Sequence, residues 1–122
     1  MGAVTRPQSR ELFAKTDSMD VDAIVSLFAP DARVVFGNGD PLVGHHEIRT
    51  GTTAFYDTIA RLRHSIVREW TFANDTIDEL KVTYDRKDGK QVTIPCVTIF
   101  HTDAEGKIDD YRVYFDVAPI YA

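Results

Sequence analysis

One cysteine, Cys96, stands in a sequence of 122 residues. A lone thiol excludes an intrachain disulfide framework, and a reducing cytoplasm is the expected home. Positive charge is also scarce: 14 Lys and Arg face 19 Asp and Glu, a net charge of −5, with no basic run. That excludes the electrostatic footprint of a nucleic-acid or anionic-membrane binder. The longest uncharged run of the C-terminal half, Val92–Thr102, falls short of the roughly 20 residues of a membrane-spanning helix. The opening MGAVTRPQS has no charged-then-apolar signal pattern. Arg6 stands where an N-myristoylation signal needs Ser or Thr. The four histidines lack metal-ligand spacing, so neither a metal nor another cofactor is expected. No repeat, low-complexity tract or linker breaks the chain, and residues 1–122 are expected to form one compact domain.

Hydrophobic periodicity then orders the elements. Pro7 suits the first turn of a helix over about residues 6–16, with Leu12 and Phe13 apolar, and Thr16-Asp17-Ser18 is expected to end it. Asp20 can cap a second helix, Val21–Phe28, whose Val21, Ile24, Val25 and Phe28 keep helical spacing, and Pro30 ends it. Arg33–Phe36 reads as a strand. FGNGDPLVGHHEI (Phe36–Ile48) reads as pocket rim and turn. A third helix is expected over His46–Leu62. Four long strands follow: His64–Ala73, Thr76–Arg86, Lys90–Thr102 and Lys107–Val117. Helices first and antiparallel strands after give an α+β arrangement.

Asp88-Gly89 suits a two-residue hairpin turn. That register sets Thr83, Ile94, Cys96 and Thr98 on one face of the sheet, and Val82, Tyr84, Val97 and Ile99 on the other. Both faces are then apolar over the middle of the sheet. A sheet wetted on one side alternates cleanly, so one face is expected to meet the helices and the other a second copy: a homodimer through the sheet.

The run DVDAIVSLFAPDARVVF (Asp20–Phe36), the Gly44-x-x-x-Ile48 helix start, Leu62-Arg63-His64, the hairpin VTYDRKDGKQVTIPCVTIF (Val82–Phe100) and the ending GKIDDYRVYFD (Gly106–Asp116) together resemble the SnoaL-like branch of the NTF2-like superfamily. The resemblance implies a cone-shaped α+β barrel with a deep, mostly apolar pocket for a small hydrophobic molecule. The fold hosts isomerases, epoxide hydrolases, dehydratases, cyclases and non-catalytic domains, so function has to come from the site.

Matched through Leu27–Ala32, the ketosteroid isomerase base falls at Phe36, its oxyanion tyrosine at Leu12 and its protonated acid at Thr98. A dienolate needs a base to form it and donors to hold its charge, and none of the three groups is present. Limonene epoxide hydrolase chemistry fares no better. One acid would sit at Val113, the Tyr and Asn at Val34 and Phe36, and the remaining Arg and Asp near Lys81–Thr83. What remains is proton transfer of the cyclase, dehydratase or isomerase kind. His64 is the candidate acid–base group, at a place where SnoaL-like members often carry histidine. Alternation along the last strand sets Tyr111, Val113 and Phe115 on one face and Asp110, Arg112, Tyr114 and Asp116 on the other. The resemblance, which matches Val113 to the hydrolase acid, implies that the first face looks into the pocket, with an Arg112–Asp116 ion pair expected on the other. Tyr111 is the second catalytic candidate. Val34, Phe36, Asn38, Thr83, Thr98, Val113 and Phe115 are candidate ligand contacts. Trp70 is read as pocket lining or core, and Cys96 as a small packed apolar residue. The alternative is a binding or accessory protein without chemistry.

Overall fold

The computed structural model describes residues 6–122. Helix α1, Pro7–Ser18, begins on Pro7 and ends at Met19, which takes a left-handed conformation. It runs through the expected break. The Thr16 and Ser18 hydroxyls donate back to the carbonyls of Phe13 and Lys15, at 3.0 and 2.6 Å, which lets such residues sit in a last turn. Asp17 is thereby carried on the helix. Helix α2, Val21–Val25, is capped as expected, the Asp20 side chain accepting from the Ala23 N–H. It stops before Phe28, which opens strand β1, Phe28–Phe36, opposite Ile108. Ahead of Pro30 the chain is already extended, and proline biases its predecessor that way.

Strand β2, Leu42–Val43, leads into α3, Gly44–Tyr56. This helix is shorter than its apolar spacing suggests. Leu62 is buried from a strand instead, opposite Tyr84. The long strands follow as β3 Arg61–Phe72, β4 Asp75–Asp85, β5 Gln91–Thr102 and β6 Ile108–Phe115, and α4, Ala118–Tyr121, closes the chain. The sheet order is β2-β1-β6-β5-β4-β3, with β1 parallel to β6 and the other pairs antiparallel. The sheet curves around the helices and stays open, with β2 and β3 as its edges.

The β4–β5 hairpin corrects the expected register by one residue. Thr83 faces Thr93, and Arg86 receives no two-residue turn: its N–H donates to the Lys90 carbonyl across three loop residues, with Gly89 at φ +89. Lys87 is therefore in the loop. A slip of one residue moves every side chain of a strand to the opposite face. Val82 and Tyr84 are inside with Ile94, Cys96 and Thr98, and Thr83 is outside, its hydroxyl 2.8 Å from that of Thr93.

The core fills the space between the inner sheet face and the helices, with Leu12, Val34, Ile48, Leu80, Val82 and Phe100 essentially inaccessible. The outer face keeps apolar residues in view. Phe72 is 81% and Tyr114 50% exposed, and Trp70 lies there too, beneath the Arg68 guanidinium. Trp70 therefore does not line the space between this sheet and the helices. No helix among the described residues is long and apolar enough to cross a membrane.

Candidate functional site

A narrow cavity lies between the inner sheet face and the helices. The space open to the centre of a water-sized sphere is about 60 Å³, which exceeds what one water needs. Strand β1 gives it Phe28, Val34 and Phe36; β6 gives Tyr111, Val113 and Phe115; β5 gives Cys96 and Thr98; β4 gives Tyr84; β3 gives His64. Leu12 and Thr16 of α1 and Phe55 and Tyr56 of α3 close it, and no charged residue lines it. Of the expected contacts, Val34, Phe36, Thr98, Val113 and Phe115 come together here with His64 and Tyr111. Leu12, Phe36 and Thr98, where related isomerases keep catalytic groups, all face this space.

Phe36, Phe55 and Phe115 also wall a wider recess of about 350 Å³, lined further by Asn38, Asp40, Asp116 and Tyr121. Asn38 belongs to this outer recess and not to the inner cavity. Thr83 reaches neither, because of the register described above. His45 Nε2 lies 2.8 Å from the Phe28 carbonyl and ties the start of α3 to β1.

The polar groups at the cavity are few. His64 Nδ1 lies 2.6 Å from Asp17 Oδ1, and the His64 backbone N–H donates to both Asp17 oxygens at 3.1 Å. The Phe13 ring stacks on the imidazole, with centroids 4.9 Å apart and planes 21° from parallel. Asp17 thus fixes the ring at one edge and the strand at the same point, while Phe13 fixes its plane. The free ring nitrogen is Nε2. The Tyr56 hydroxyl donates to the Thr16 carbonyl at 2.9 Å and holds α3 against this turn. Burial first, and then the Asp17 charge, raise the Tyr56 hydroxyl above its ordinary value.

Tyr111 is driven well above the ordinary phenol value by burial, and Tyr84 is raised chiefly by the same cause. Both are neutral hydroxyls, able to donate a hydrogen bond and unable to act as phenolates near neutrality. Burial pushes the Cys96 thiol up to about 12, so it packs as an apolar residue. The Thr98 hydroxyl is buried without a hydrogen-bond partner.

A second polar cluster sits deeper on the same face. Asp78 stands opposite Thr98 on one side and Glu69 on the other. Its Oδ2 accepts from the Ser9 hydroxyl at 3.0 Å, and Glu69 Oε1 accepts from the Arg6 N–H. The other oxygens, Asp78 Oδ1 and Glu69 Oε2, are buried without a donor unless one carboxyl is protonated. Burial first, then the hydrogen bond to Glu69 and its charge, raise Asp78 to about 8, against a lowering bond from Ser9. Burial also raises Glu69, but bonds from Asp78, Ser9 and the Arg6 backbone outweigh it and leave Glu69 below its ordinary value. One shared proton, held by Asp78, satisfies the pair.

On the outer face, Arg112 pairs with Asp110 through Nε and Nη2, both at 3.2 Å, and not with Asp116. Asp116 instead accepts from the Ala118 N–H at the start of α4. Among the described residues no group of acidic, His or Cys side chains is placed to hold a metal ion.

Several residues of the site escaped sequence reasoning, Asp17, Tyr56 and Tyr84 among them. Asp17 looked like a helix breaker, and its partner lies 47 positions away. Tyr84 was turned outward by the register slip, which its buried aromatic character argued against.

Solved structures share this architecture. A hypothetical protein with a ketosteroid isomerase-like fold from Catenulispora acidiphila, in complex with trimethylamine, superposes with a TM-score of 0.86 at 18% identity, over 96% of this chain and 91% of that one. The epoxide hydrolase/cyclase-like enzyme SalBIII, of pyran ring formation in the polyether salinomycin, gives 0.79 at 22%, over 91% and 89%. A SnoaL-like polyketide cyclase from Jannaschia gives 0.79 at 17%, over 98% and 95%. No curated protein matches the sequence. The model of the SnoaL-like domain matches residues 9–111, most of the chain, and with the curved open sheet this places the protein in the SnoaL-like domain family of the NTF2-like fold.

Proposed function

We propose that the protein binds a small, largely apolar molecule in the inner cavity and moves a proton on it, in an isomerisation, cyclisation or dehydration. The observation that carries this reading is the Asp17–His64 pair, 2.6 Å apart, at the wall of an otherwise uncharged cavity. Asp17 accepts from Nδ1–H, which leaves the Nε2 lone pair as a base toward the cavity. After proton uptake the imidazolium remains paired with Asp17 and becomes the acid. Tyr111 and Thr98 are the donors for oxygen charge that develops on the ligand. Relatives differ in what they hold or make, from trimethylamine to a pyran ring, so the cavity of this chain has to decide its own ligand.

Hydrogen–deuterium exchange tests this without a known substrate. The protein is incubated in D₂O with a panel of small cyclic ketones and enones, and deuterium at the α-carbon is read by mass spectrometry. Wild type should accelerate exchange of at least one member over buffer, and His64→Gln should lose about a hundredfold or more of that acceleration. Binding without acceleration would instead make the protein a carrier.

A further inference from the structure

The cavity is rich in aromatic faces and poor in positive charge. Seven phenylalanine and tyrosine rings line it, and among the described residues neither it nor the outer recess has a lysine or arginine. The charges among the described residues of the outer recess are the carboxylates of Asp40 and Asp116. Behind His64 stands Asp17, whose side chain is 25% exposed and pairs with the imidazole at 2.6 Å. With His64 neutral, the pair carries the negative charge of Asp17 beside the cavity, and a cation in the cavity would be its complement.

From this we propose that the site selects a ligand with a small alkylated ammonium group, held by aromatic faces and by the negative field of the Asp17–His64 pair. The inference rests on the reading of this cavity as the ligand site and names its ligand class. The chemistry fits at each point. Alkylated ammonium has an apolar skin that suits the cavity and a charge that suits aromatic rings. The acidic recess draws cations inward. Size agrees as well. The space of about 60 Å³, taken as a sphere and widened by the radius of water, gives a free radius of roughly 3.8 Å. A central atom with methyl groups needs bonds of roughly 1.5 Å and methyl radii of roughly 2 Å.

Tetramethylammonium and tert-butanol have the same number of heavy atoms and a similar shape, and differ in charge. Each is titrated into the folded protein at matched ionic strength, with binding followed by amide chemical shifts in NMR. Tetramethylammonium should bind at least about tenfold more tightly, with shifts at His64, Tyr84 and Tyr111, and Asp17→Asn should bring the two within about twofold. Equal binding, tighter binding of tert-butanol, or no binding of tetramethylammonium to wild type would each overturn the proposal, even where Asp17→Asn fails to fold. Selective cation binding with no deuterium exchange would sink the proton-transfer reading and leave this one. Exchange without a cation preference would do the reverse.

Discussion

At the scale of single residues, the molecule keeps two acid–base pairs on one sheet face and treats them oppositely. His64 is fixed by Asp17 at one edge and left free at the other. Asp78 is closed in on every side, inaccessible to solvent and satisfied only as the neutral acid. The sign of its effect on stability follows. Its folded value of about 8 lies above the ordinary aspartate value of 3.8, so the folded state holds a proton that the unfolded chain releases. The stabilisation is complete below about pH 4 and is lost as pH rises through about 8. The lowered Glu69 offsets part of this. Stability should therefore fall between about pH 4 and 8, by an amount on the order of a few kcal/mol, and the melting temperature with it. Asp78→Asn keeps a donor for Glu69 and an acceptor for Ser9, and should flatten that fall; an equally steep curve in the variant, read by circular dichroism, would refute the shared proton. Neither pair was legible in the sequence. The partners Asp17 and His64, or Ser9 and Asp78, are far apart along the chain, and only the fold brings them together.

Elements were more legible than contacts, and where they failed the failure was of register. The long strands β3–β6 and the capped α2 follow from alternation, β-branching and Asp20. Alternation also split β6 into two faces, and the resemblance at Val113 named the inward one, where Tyr111 and Val113 are buried. In the β4–β5 hairpin, Asp88-Gly89 suits either a two-residue turn or a three-residue loop with glycine in the left-handed region, and the pattern alone does not separate them. The packing decides, by burying Tyr84 and Val82 and leaving Thr83 outside. Gly89 is then the residue on which the loop depends. A Cβ there would meet nothing within 4 Å, so strain at φ +89 is the whole cost. Gly89→Ala should destabilise by about 1 kcal/mol and Gly89→Asn by less, since asparagine tolerates that region. Urea titration reads both, and an alanine variant as stable as wild type would mean that the loop relaxes to another turn.

For the whole molecule, the open question of assembly turns on the outer sheet face. The expectation of two apolar faces survived the register correction, because exchanging the faces of β4 left Val97 and Ile99 of β5 outside, with Ile77 beside them. Tyr114 and Trp70 extend this surface, about half exposed. Apolar area of this kind on a sheet commonly marks an association surface. The charges around it come in both signs, with Arg112 held by Asp110, and His101 raised chiefly by its bond to Asp109. A two-fold axis can set such a surface against itself, apolar centre to apolar centre and charged rim to charged rim. We therefore expect a homodimer through this face. Sedimentation equilibrium at micromolar concentration should give twice the chain mass, and Val97→Lys should shift it to the monomer with little change in far-ultraviolet circular dichroism. A wild type that stays monomeric would leave the outer face without the partner that its composition calls for. The cavity would be unaffected by that result, since every residue that lines it comes from the inner side of the sheet or from the helices.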